Sequence, residues 1–151
     1  MIRRAIRQAR KVEVAYHDAL RDLGCAVCYF RIANGMLSAS EPTPGAIDLH
    51  HRNVGDMHGQ KQLGQDCVVP LCSYHHDDKF CFFGWSPDEM REVYGPSFGF
   101  HAKDFREWTA DVVPQYPGRG TERWQHYADD LLRESGFGEL VDVVRGQREA
   151  A

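Results

Sequence analysis

No apolar run in these 151 residues approaches the roughly 20 that a membrane-spanning helix needs, so no membrane partner is expected. The arginine-rich opening has no apolar stretch of the kind a secretory signal carries, which makes a cytoplasmic location the expectation. A net charge of -4 at pH 7 does not mark the chain as one held on nucleic acid by bulk positive charge. Cysteine is scarce and odd in number, five in all, which argues against a closed disulfide framework. Internal repeats are absent. What is present is ordinary: 42% hydrophobic and 26% charged residues, the balance of a globular chain long enough for one modest core.

In a reducing compartment, paired cysteines are better explained by metal. Cys25 and Cys28 form a C-x2-C, and Cys72 is followed by His75 in a C-x2-H step. Together they make a four-ligand N/S set with the short gaps that tetrahedral zinc prefers. Cys67 and Cys81 stand outside it and read as small buried hydrophobes. Once His75 is assigned to zinc, the histidine pairs His50-His51 and His75-His76 leave His50, His51 and His76 over. Spare histidines beside a zinc clamp are what a metal-dependent hydrolytic site requires.

Taken in order, residues 2–23 read as a helix, with Ile2, Ile6, Ala9, Tyr16, Leu20 and Leu23 on one stripe and Gly24 as the stop. Its arginines would face outward. C-A-V-C follows as the first half of a zinc knuckle, then an irregular loop over 34–45. Residues 46–51 alternate as a strand, which puts Ile47 and Leu49 on one face and Asp48 and His50 on the other. A glycine-studded loop leads to a second strand over 67–71. Ser73 would cap a short helix carrying the second histidine pair on its first turn. Ser86-Pro87 opens a helix to Tyr94, and Phe98, Phe100, Phe105 and Trp108 lie in a segment packed on the body. Prolines and glycines over 114–120 form a linker. Thr121 starts a helix with Trp124 and Leu131 inward, Gly136-Phe137-Gly138 interrupts it, and Leu140, Val141, Val143 and Val144 fit a last one.

Strand, loop, strand, helix is the order of a ββα-metal unit. The pieces C-A-V-C, D-L-H-H-R, G-Q-K, V-P-L-C-S-Y-H-H and V-Y-G resemble HNH endonucleases, in particular small phage and bacterial ones associated with recombination. The resemblance spans roughly residues 25–95. It implies an α+β fold: a zinc-stabilised ββα-metal core, residues 25–95, between an N-terminal basic helix, residues 1–24, and a C-terminal helical extension, residues 96–151. It also implies a metal-dependent endonuclease that cuts or nicks DNA, in the cytoplasm of a bacterial host if phage-encoded, with a recombination or packaging protein as a further partner.

Carried over by position, the resemblance makes His50 and His76 ligands of a catalytic magnesium or other divalent ion and His51 the general base. His75 falls on the zinc set. Two departures stand out. Phe80 replaces a histidine one helical turn after the second pair, and the signature asparagine falls near Cys67, beside Asp66. Asp48, sharing a strand face with His50, or extra waters would complete the ion's shell, with Asp77 and Asp78 as weaker candidates that read rather as a solvated helix surface. His58, in the glycine loop, is a lesser candidate. Phosphate contacts are expected from Arg3, Arg4, Arg7, Arg10, Arg52 and Lys61, although a solvated helix face accounts equally for the N-terminal arginines. The competing expectation is a zinc-stabilised DNA- or protein-binding module with a degenerate nuclease site.

Overall fold

A computed structural model describes residues 7–53 and 62–150. Arg3, Arg4, His58 and Lys61 lie outside the described residues.

The first helix, α1 (Lys11–Leu23), starts later than the apolar stripe predicts. Glu13 accounts for the start. Its carboxylate turns back to accept the Arg10 N–H at 2.9 Å and an Arg7 guanidinium N–H at 2.7 Å. Arg10 is thereby held extended, as an N-cap must be. Glu13 is 1% exposed, and the Arg7 hydrogen bond holds its carboxyl below the usual range. Gly24, at φ 89°, ends the helix.

C-A-V-C is not a knuckle turn. Cys25 caps a second helix, α2 (Ala26–Ala33), its Sγ accepting the Cys28 N–H at 3.4 Å, and Cys28 lies in the first turn. The hairpin follows the expected order. Strands β1 (Ile47–His51) and β2 (Val68–Cys72) pair antiparallel, with Asp48 opposite Leu71 and His50 opposite Val69. β2 is buried along its whole length.

The short helix expected after Ser73 is not formed. Residues 73–77 make hydrogen-bonded turns, the His76 N–H reaching the Cys72 carbonyl at 2.9 Å. Lys79, at φ 54°, takes a left-handed conformation that a helix cannot continue through. The next helix is α3 (Pro87–Tyr94), capped by Ser86 and Glu89 as its sequence predicts.

α4 (Ala102–Val112), α5 (Thr121–Leu132) and α6 (Gly138–Ala150) complete the chain, with a kink at Gly136 joining the last two. α5 lies against β2, α1 and α2, while α1 covers both strands and meets α6. The centre is aromatic: Trp124, fully buried, stacks on Trp108 at 5.6 Å and meets Phe30 edge-on at 5.4 Å. Its indole N–H is satisfied by Thr109 Oγ1 at 2.9 Å. Arg145 Nη2 donates to the Tyr16 hydroxyl at 2.7 Å and Nε to Asp129 at 2.8 Å, so α1, α5 and α6 share one polar latch. The result is an α+β molecule with a small two-stranded sheet.

Candidate metal centres

Cys25, Cys28, Cys72 and His75 come together as a buried cluster able to hold a metal ion such as zinc. The helix cap brings in the first two, and the end of β2 with its following turn brings in the others. His75 Nδ1 lies 3.6 Å from Cys25 Sγ, 3.4 Å from Cys28 Sγ and 3.2 Å from Cys72 Sγ, and Cys28 Sγ lies 3.9 Å from Cys72 Sγ. Ligands around tetrahedral zinc are separated by roughly 3.6 Å for S···N and roughly 3.8 Å for S···S, from the usual bond lengths. These four separations lie within about 0.4 Å of those edges.

The surroundings fit as well. His75 Nε2 donates to the Tyr94 carbonyl at 2.9 Å, which leaves Nδ1 turned to the three cysteine sulfurs and free to ligate. The Cys28 and His75 amides turn toward Cys25 Sγ and Cys72 Sγ at 3.4 and 3.5 Å. Burial alone would raise the Cys25 thiol, but hydrogen bonds from Cys28 and Cys72 and the charge of His75 take it well below its ordinary range, while the hydrogen bond to Cys25 raises Cys28 and burial raises Cys72. Cys67 and Cys81 stand outside the cluster.

A second group forms on the sheet face that carries Asp48 and His50. The turn after β2 swings His76 against it, so that Asp48, His76 and Asp78 place one ligand atom each within 4.8 Å of one another. His76 Nδ1 is 3.3 Å from Asp77 and 3.8 Å from both Asp48 and Asp78, yet it is buried and makes no hydrogen bond. Desolvation and the neighbouring Asp48 carboxylate raise the Asp78 pKa. A buried, unbonded imidazole nitrogen among carboxylates that repel one another is a group that a divalent cation can satisfy.

His50 sits at the back of this group. Its Nδ1 is 3.1 Å from His76 Nε2, and Phe98 covers it at 5.5 Å between rings. Burial and the adjacent His76 push it down to about 4, so it is neutral at neutral pH. Contact with the far nitrogen of His76 makes it a neighbour of the expected ligand. It is absent from the Asp48–His76–Asp78 trio, in which Asp78 stands instead.

His51 points the other way, as alternation along β1 dictates. Its Nε2 donates to Gln65 Oε1 at 3.1 Å, and its ring meets that of His17, from α1, edge-on at 6.2 Å. His17 is bonded through Nε2 to the Gln65 carbonyl at 2.6 Å. Sequence reasoning passed over Gln65, since a glutamine after a glycine loop carries no signal until the hairpin closes. With Nε2 protonated and bonded, a neutral His51 carries its free lone pair on Nδ1.

The basic residues are less available than the sequence implies. Arg52 is 7% exposed and its guanidinium is committed to Gln125, with Glu122 at 4.0 Å, so it is a packing residue and not a surface phosphate contact. Arg7 is exposed but paired with Glu13. Arg10 is exposed. No family model matches the chain, and no curated protein or solved structure matches it.

Proposed function

We propose that this chain is a divalent-cation-dependent endonuclease acting on DNA phosphodiester bonds, with Asp48, His76 and Asp78 holding the cation and a Cys25, Cys28, Cys72 and His75 zinc clamp holding the hairpin. The observation that carries the reading is the buried, unbonded Nδ1 of His76 facing three carboxylates. A bound divalent ion there supplies charge stabilisation at a phosphate and a more acidic water. Asp48 and Asp78 orient it, and His50 steadies the His76 ring through the opposite nitrogen.

In this reading the scissile phosphate lies against the cation group, and His51, the last residue of β1, is the proposed base. Gln65 fixes the His51 tautomer that leaves Nδ1 free, the state a general base needs. Arg10 and Lys11, among the described residues, are exposed N-terminal cations available for a phosphate.

Supercoiled plasmid incubated with zinc-loaded protein and magnesium or manganese tests the proposal. Nicked or linear product is expected. His76→Ala and Asp48→Asn should each lose at least about a hundredfold in rate, as should His51→Ala, the scale a general base contributes. A fully cutting His51→Ala removes the base assignment alone; intact plasmid with every divalent ion removes the nuclease.

The second reading, a zinc-stabilised binding module with a degenerate site, is favoured by one observation. His51 is bonded to Gln65 on the face away from the cation group. Intact plasmid together with retained, salt-sensitive DNA binding would establish it.

A further inference from the structure

Three thiolates and a neutral imidazole bring more negative charge to a zinc ion than the ion can cancel, so the clamp, if it holds zinc, carries a residual negative charge. Such a charge inside a protein is costly unless a cation lies near it. None of the four cluster residues supplies one; Arg31, one helical turn after Cys28, is placed to do so.

Arg31 follows Cys28 by three residues in α2, one turn along the same face. Its guanidinium carbon lies 5.5 Å from the centre of the Trp108 ring. On another side it presses on Gly95, where an added Cβ would fall 2.5 Å from Nη1. Gly95 follows Tyr94, the residue whose carbonyl orients His75. The cation is therefore wedged between the aromatic core and the backbone that holds a zinc ligand. Its Nε is buried and has no hydrogen-bond partner. Among the described residues no carboxylate pairs with it, whereas Arg7, Arg52, Arg91, Arg133 and Arg145 each have one. Burial depresses its pKa, and the nearby Cys28 is the leading influence that raises it again.

We infer that Arg31 is the counter-ion of the zinc cluster, a positioning residue that neutralises its excess negative charge and keeps its thiolates unreactive. This inference rests on the zinc reading of the clamp. A thiolate screened by a fixed cation is a weaker nucleophile toward alkylating agents and a weaker base toward protons. Arg31 thus makes the clamp a permanent structural site and couples it to Trp108 in the C-terminal helices.

The test compares full-length wild type, Arg31→Met and Arg31→Lys for zinc release to a chromogenic chelator and for iodoacetamide alkylation of the thiols. Arg31→Met should release zinc and react roughly tenfold faster, the scale of a charge-assisted contact. Arg31→Lys, which keeps the charge, should stay within about threefold of wild type, a rescue that a purely space-filling role would not produce. If Arg31→Met does not fold, Arg31→Gln takes its place with the same expectation. A wild-type rate in the neutral variant overturns the inference, and so does a lysine variant as labile as the neutral one. Zinc content of the wild-type chain is measured first; a chain that binds no zinc overturns the clamp itself, which is a different result from a clamp indifferent to Arg31.

Discussion

Cys67 and Cys72 are equally buried and five positions apart, yet only Cys72 belongs to the metal cluster. Burial does not separate a ligand from a packed thiol; convergence does. Cys28→Ser and Cys72→Ser should purify with little zinc and without a cooperative unfolding transition, because metal binding of this kind contributes on the order of 10 kcal/mol to small zinc domains. Cys67→Ser and Cys81→Ser should keep one zinc per chain. Metal analysis and thermal unfolding of the four variants decide it, and zinc lost from Cys67→Ser but kept in Cys72→Ser would reverse the ligand choice. The four residues of the cluster were legible in the sequence because each half of the set is local: C-x2-C on one turn, C-x2-H on another. Arg31 was not legible, since its role depends on Trp108 and Gly95, which only the fold brings to it. Asp78 reads as solvated surface in the sequence, and only the closed turn brings it beside Asp48.

At the scale of elements, alternation along β1 was readable and set the main outcome: Asp48 and His50 on one face, His51 on the other. The helix expected after Ser73 was misread because a cap residue and an i→i-4 bond start a helix but do not sustain one. Lys79 ends the run in a left-handed conformation. The turn that results owes its shape to a neighbour. Phe98 and Gly99 donate their N–H groups to the His75 and His76 carbonyls at 3.1 and 2.9 Å, laying the segment before α4 directly on the turn that carries His76 and Asp78. Gly99 is there by necessity, since an added Cβ would stand 2.8 Å from the Asp77 Cα and 2.9 Å from the His76 carbonyl oxygen. Both are backbone atoms that no side-chain rotation can move aside. Gly99→Ala should therefore lift the segment, uncover His50 from Phe98 and cost about 1–3 kcal/mol. Manganese binding should weaken while zinc is retained, as a manganese titration alongside metal analysis would measure. Unchanged manganese affinity would mean that the segment does not shape the site.

Across the whole molecule, the sequence divides into a basic helix, a metal-binding centre and a helical tail without recognisable chemistry, but the buried cluster ignores those divisions. Tyr16 and Leu20 from α1, Val68 and Val69 from β2, and Trp124, Ala128, Leu132, Val141 and Val144 from the tail belong to one core. Periodicity showed that the tail had an apolar face without showing what that face covers. It covers the hairpin: α5 lies on β2, and Arg145 of α6 donates to the Asp66 carbonyl at 2.7 Å, just before that strand. A chain ending at residue 95 would expose the fully buried strand residues Val68, Val69 and Leu71, each worth about 1.5–3 kcal/mol of burial. It would also leave Tyr16 without Asp129 and Arg31 without Trp108. Losses of that size are comparable with the whole stability of an ordinary domain. Residues 1–95 expressed alone should consequently be insoluble or lack a cooperative unfolding transition even with excess zinc, although every proposed ligand of both metal groups is present. A soluble fragment that binds zinc and unfolds cooperatively would show that the clamp, and not the shared core, carries the fold.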